Sequence, residues 1–106
     1  MKSRIENPYT NAELEEMFQK QLNKEYFEFK KNAVADNGVS YVLTVSGHKI
    51  EDEFYDIWKD DYIVSFDKLS KTDGKGHSSN RFKTFDDFKN EIFKAFDLVE
   101  TQPRFF

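Results

Sequence analysis

The sequence predicts an α+β domain with an N-terminal helix, a mainly antiparallel sheet of three to five strands, and a C-terminal helix packed on one sheet face. Helices are predicted over residues 10–22 and 84–96, because each segment begins with a threonine and then repeats apolar residues at helical spacing. The sheet is predicted from the residues between these helices, where segments alternate apolar and polar residues as half-buried strands do. The length of 106 residues suits a single domain over residues 1–106.

The first helix has a clear start signal. Thr10 and Glu13 match the capping box in which a threonine caps the helix and a glutamate three residues later bonds back to it. We expect residues 1–8 to be a flexible arm before this helix and residues 100–106 to be a second flexible arm. The predicted buried face of the helix consists of Leu14, Met17, Phe18 and Leu22.

Two interpretations remain open for residues 26–31. Tyr26, Phe29 and Ala33 would continue the helical face to a glycine cap at residues 37–38. Residues 27–31 also alternate as a strand does, and residues 36–38 form a strong turn signal. We favour the strand, with the helix ending near Lys24.

The middle of the chain contains the predicted sheet. Residues 39–46 form the clearest strand, and the Ser-Gly-His sequence at 46–48 predicts a turn after it. Residues 49–58 fit helix and strand spacing equally well, so it stays open whether Phe54 and Trp58 lie in the core or at the surface. Residues 62–66 predict another strand.

The last third of the chain is predicted to hold a loop, a short strand and the second helix. Residues 70–80 are rich in Gly, Ser and Lys, which is typical of a mobile loop, and residues 81–83 are expected to form a short strand. Thr84 and Asp87 resemble a second capping box. The buried face predicted for this helix is strongly aromatic and consists of Phe85, Phe88, Ile92, Phe93 and Phe96.

Composition limits the class of protein. The chain is 17% aromatic, which gives a small core large buried areas per residue. It has no cysteine, and we therefore expect a reducing, cytoplasmic setting. No apolar run suits a signal peptide or a membrane span, so no membrane partner is expected. The excess of residues with AT-rich codons indicates a low-GC bacterium or one of its phages.

The charge changes sign between two neighbouring segments. Residues 51–67 contain seven acids and one base, a net charge of −6, whereas residues 68–83 contain five bases and one acid, a net charge of +4. This asymmetry is typical of a contact surface.

No catalytic motif is complete. Gly74-Lys75 is followed by Gly76, and Leu69 stands where a phosphate-binding loop needs its first glycine. No Gly-x-Ser-x-Gly elbow is present, and the two histidines fall in predicted turns. Asp52, Asp56 and Asp60 would share a helical stripe that could hold a metal ion, but like charges at this spacing disfavour a helix, and we favour a solvated acidic face. We therefore expect neither an enzyme, nor a cofactor, nor a metal.

The acidic segment supplies the leading functional hypothesis. A small protein-binding module of inhibitor or immunity type would present acids and aromatic anchors to a basic protein partner. The alternative is that the aromatics belong to the core and the acids are merely exposed. The residues expected to bind this partner are Asp52, Tyr55, Asp56, Trp58, Asp60 and Asp61.

The basic segment supplies the alternative function, nucleic-acid binding by an accessory protein. Lysine and arginine side chains would bind phosphates, although the sequence pI of about 5.2 opposes this. The residues concerned are Lys68, Lys71, Lys75, Arg81 and Lys83. The oligomeric state is not predicted.

Overall fold

The computed structural model describes residues 4–50 and 61–99. The predicted α+β architecture is confirmed there, with a helix near each end and an antiparallel sheet between them. In chain order the elements are β1 (Ile5–Glu6), α1 (Asn11–Leu22), β2 (Phe27–Val34), β3 (Ser40–Lys49), β4 (Tyr62–Leu69), β5 (Gly74–Ser79), α2 (Phe85–Phe96) and β6 (Leu98–Val99).

The main sheet has the simple order β2-β3-β4-β5, and every neighbouring pair is antiparallel. Gly38 closes the β2–β3 turn with a φ of +86°, a conformation that glycine adopts without strain. The strand interpretation of residues 27–31 and the turn at 36–38 are therefore confirmed. Strands β1 and β6 form a separate parallel pair.

One face of the sheet carries the core. Strand alternation places Leu43, Val45, Val64 and Phe66 on this face, and all four are buried. Phe66 packs edge-to-face on Phe96 of α2 with ring centroids 6.3 Å apart, so the C-terminal helix lies on this face as predicted. The opposite face is more open, as the exposure of Val42 and Leu69 shows.

Both helix caps follow the sequence signals. The Thr10 hydroxyl accepts a hydrogen bond from the Glu13 N–H at 3.1 Å, and the Glu13 carboxylate accepts one from the Thr10 N–H at 2.9 Å. Thr84 accepts from the Asp87 N–H in the same way. Helix α1 ends at Leu22, close to the predicted end near Lys24. The predicted aromatic face of α2 is confirmed, with Phe88, Ile92 and Phe96 buried.

The predicted turn at residues 46–48 is wrong, because β3 continues through them to Lys49. Gly47 is a strand residue for a packing reason. A Cβ at this position would overlap the Tyr62 hydroxyl and the Phe27 ring, so only glycine lets these two side chains meet across the strand.

The predicted loop at residues 70–80 is also wrong in part, because residues 74–79 form β5 and pair with β4 along their whole length. The strand predicted at residues 81–83 is absent. Phe82 instead bonds to a buried side chain: its N–H donates to Gln21 Oε1 at 2.7 Å, and its carbonyl accepts from Gln21 Nε2 at 2.8 Å. The Gln21 amide thus satisfies the backbone N–H and C=O of Phe82, as a neighbouring strand would do in a sheet.

The expected arm at residues 1–8 is not loose over its described part. Ile5 is buried and pairs with Leu98, and the Arg4 carbonyl accepts from the Asp36 N–H at 2.9 Å. Sequence patterns do not reveal β1 and β6 because each contains only two residues.

Candidate protein-binding surface

Residues 51–60 of the acidic segment lie outside the described residues, but the residues on either side of them are described. The Ile50 N–H donates to the Asp61 carbonyl at 2.7 Å, directly after the pairing of Lys49 with Tyr62. The two residues that flank residues 51–60 therefore lie side by side at the end of the β3–β4 hairpin.

The connection between α1 and β2 reaches this same end. The buried Tyr62 hydroxyl donates to the Glu25 carbonyl at 2.5 Å, and Glu25 itself is exposed. The next residue, Tyr26, is 69% exposed. We call Glu25, Tyr26, Ile50 and Asp61 the hairpin end.

Tyr62 is held in an environment that keeps its hydroxyl neutral. Burial, and then the negative charge of Glu25, raise the pKa of Tyr62 above its usual value of 10.0, while Arg81 opposes the shift. A neutral hydroxyl keeps its hydrogen for the Glu25 carbonyl. This bond fixes the backbone that carries Tyr26.

Asp61 is the one predicted acidic-site residue that is described. Its carboxylate forms an ion pair with Lys24, so it also has a structural role. Lys24 and Lys49 bring positive charge to the hairpin end. The excess of acids near it therefore comes from residues 51–60, which connect Ile50 to Asp61. Asp52, Tyr55, Asp56, Trp58 and Asp60 lie outside the described residues, as does the open question about Phe54.

The charge distribution is strongly local. Residues 51–60 contain five acids and one base, a net charge of −4, which equals the formal net charge of the whole chain. The described ranges contain 14 acids and 13 bases and are almost neutral. The negative charge of the protein is thus concentrated in the segment that begins and ends at the hairpin end.

Tyr26 was not among the predicted site residues. The sequence places it either on a continued helical face with Phe29 and Ala33 or directly before the alternation of residues 27–31. Alternation shows which side of a strand is buried, but the direction of a side chain just outside the strand depends on tertiary contacts. Here the Tyr62–Glu25 bond supplies that contact.

Lys68 is not the exposed loop cation that the sequence predicted. It lies on β4, is only 6% exposed, and its Nζ donates to Asp97 Oδ2 at 3.1 Å. Lys75 on β5 reaches the same carboxylate at 3.8 Å. Lys71 is exposed in the β4–β5 turn.

The remaining predicted cations are separated from these. Arg81 donates to the Leu22 carbonyl at 2.9 Å, at the end of α1, and Lys83 is exposed before α2. The five residues therefore do not form one continuous phosphate-binding surface. The structure uses Lys68 and Arg81 to connect elements.

A polar pocket of about 270 Å³ lies between β5 and α2. His77 Nε2 and Glu91 Oε2 are 2.8 Å apart at its wall, and Phe66 is part of its lining. The other lining residues include Lys75, Lys94 and Asp97. The pocket combines several charged groups with an open edge strand.

An apolar groove lies at the other end of the sheet, where β2 turns into β3. It has a volume of about 650 Å³ and is lined in part by Val34, Val42 and Leu69. Val34 is 64% exposed, nearly as much as Tyr26. Because β2 begins after Tyr26 and ends at Val34, these two side chains mark opposite ends of one strand.

Within the described ranges, no group of three or more His, Asp and Glu side chains is placed to bind a metal ion. No helix in the same part of the chain is long and apolar enough to cross a membrane. Comparison of the sequence and structure with protein-family models, curated proteins and solved structures found no match.

Proposed function

We propose that this chain is a small protein-binding module that presents an acidic, aromatic surface at the hairpin end to a basic protein partner. The observation that carries the proposal is that exposed Tyr26 directly follows Glu25, whose carbonyl is bound by Tyr62 next to the bonded residues Ile50 and Asp61. Tyrosine is a typical anchor of protein interfaces, because it buries a large area and keeps a polar tip.

Hydrogen bonds fix the backbone of the hairpin end. Bonds from Ile50 to Asp61 and from Tyr62 to Glu25 connect three separate parts of the chain. Because these bonds already hold the backbone of the hairpin end, this backbone loses less conformational freedom on binding, which favours affinity.

The acids have a different role from the aromatic anchors. Concentrated negative charge attracts a basic partner from a distance and raises the association rate, and it adds less to the final affinity. Asp52, Asp56 and Asp60 are the proposed steering residues, while Tyr26, Tyr55 and Trp58 are the proposed anchors.

The test is affinity capture from a bacterial lysate with three forms of the protein as bait. The first is the native chain. The second carries Asp52→Lys, Asp56→Lys and Asp60→Lys, and leaves Asp61 unchanged because Asp61 pairs with Lys24. The third is a control with the same charge change at exposed positions elsewhere, Glu6→Lys, Glu15→Lys and Glu16→Lys.

We expect a basic protein that the native chain and the control capture after nuclease treatment, and that the second form does not. Equal capture by the second form, equal loss in both variants, or a complete absence of captured protein would contradict the proposal. Capture that disappears with nuclease would favour nucleic-acid binding instead.

A further inference from the structure

Strand β5 is the last strand of the main sheet. All six of its residues pair with β4, and no described segment pairs with its outer side. Every second residue of an edge strand directs its N–H and C=O away from the sheet, so the strand is a template for another extended chain.

This edge has little of the protection that edge strands usually carry. Gly74, Gly76, Ser78 and Ser79 are small, and β5 contains no proline. Gly76 lies against the Asp67 carboxylate and has no room for a Cβ, so this part of the edge remains narrow. An incoming backbone meets one charged side chain on the strand itself, that of Lys75.

The polar pocket lies on the helix side of the same edge. Lys75 and His77 are two residues apart and both line it, as strand alternation requires. The alternate side chains of an added strand would point to the same side. The pocket is therefore placed to accept one of them.

The charges of the pocket favour a carboxylate. Asp97 is shared by Lys68 and Lys75, and Glu91 is occupied by His77. Lys94 also lines the pocket and forms no ion pair with a described residue. Two lysines and two carboxylates thus line the pocket, one of these carboxylates is also paired with Lys68, and the Lys75 side chain is 65% exposed.

We propose that β5 accepts an extended acidic segment of a partner polypeptide as a fifth strand of the sheet, with one Glu or Asp side chain bound between Lys75 and Lys94. Main-chain hydrogen bonds to the edge supply affinity, and the pocket supplies the preference for acids. This inference does not depend on the hairpin end, since it concerns another surface of opposite charge.

The probe is a short synthetic peptide in which Glu alternates with Val, labelled for fluorescence anisotropy. Control peptides replace every Glu with Gln or with Lys. We expect binding of the Glu peptide alone. Lys75→Ala combined with Lys94→Ala should weaken it by about tenfold. The matched control, Lys83→Ala, removes an exposed lysine before α2 and should leave the affinity unchanged.

Amide hydrogen exchange distinguishes strand addition from simple charge attraction. The Glu peptide should slow the exchange of β5 amides, while amides at the other sheet edge, in β2, keep their rates. Binding without β5 protection would overturn the proposal, as would no binding or equal binding of the Lys peptide. Displacement of the peptide by single-stranded DNA, with an affinity that falls steeply with salt, would assign the edge to nucleic acid.

Discussion

Lys68 Nζ lies 3.1 Å from Asp97 Oδ2, and this ion pair connects the centre of the sheet to the residue that ends α2. Asp97 has a φ of 55° and donates its N–H to the Phe93 carbonyl, so the same residue caps the helix and neutralises a buried lysine. Lys68 also lies 4.6 Å from the centre of the Tyr41 ring. A cation that is so well shielded from water depends on its partner.

Asp97→Asn tests this dependence. Asparagine tolerates the left-handed backbone, so the substitution removes mainly the charge. We expect the free energy of unfolding to fall by about 3 kcal/mol, because a buried ammonium loses its partner. Adding Lys68→Met should recover most of the loss in urea unfolding. A double variant no more stable than Asp97→Asn alone would show that the pair does not carry this energy.

Gly47→Ala tests the close contact across β3. We expect a loss of about 2 kcal/mol, because the new Cβ displaces the Tyr62 hydroxyl and the Phe27 ring. Gly47→Ala should cost less stability when it is made in a Tyr62→Phe background than in the native chain, and a double-mutant cycle measures this difference. Gly38→Ala is the control: its cost comes from positive φ, and Tyr62→Phe should not change it.

Gln21→Leu tests the two bonds that replace a strand at Phe82. The substitution leaves a backbone N–H and a carbonyl without their partner, and we expect a loss of about 2–3 kcal/mol. Gln19→Leu removes an exposed glutamine from the same helix and should change stability by less than about 0.5 kcal/mol. Equal effects in thermal unfolding would contradict the role given to Gln21.

High pH should destabilise the protein through two buried tyrosines. Burial raises the pKa of both Tyr9 and Tyr62 above the usual 10.0, with the charges of Glu13 and Glu25 as secondary causes. The unfolded chain therefore loses these protons first, and the stabilisation present below about pH 10 declines as pH rises. We expect the loss to be about 1 kcal/mol per pH unit for each tyrosine. Tyr9→Phe with Tyr62→Phe should flatten this slope; an unchanged slope would contradict the assignment.

Features that depend on near neighbours in sequence were predictable. The Thr10–Glu13 cap joins residues three apart, and the spacing of Phe88, Ile92 and Phe96 defines a helix face directly. Such signals need no knowledge of the rest of the fold.

Features that depend on distant partners were not predictable. Gly47 signals a turn or a close contact equally well, and only its position between Phe27 and Tyr62 decides between them. Strand β5 has the sequence GKGHSS, which shows no apolar alternation, and its contact with the core comes from His77, whose ring centroid lies 5.1 Å from that of Phe66. The sequence around Lys68 resembles that of a surface lysine, because its partner Asp97 lies 29 residues later, at the end of α2.

The central claim concerns which end of the sheet binds the partner, and β2 offers a matched comparison. Tyr26 and Val34 are exposed to similar extents, 69% and 64%, at opposite ends of this strand. The most direct measurement is the dissociation constant of the purified complex with the captured protein for Tyr26→Ala and for Val34→Ala. We predict that Tyr26→Ala weakens binding by at least about tenfold and that Val34→Ala has no effect. The reverse order, or no change in either variant, would contradict binding at the hairpin end.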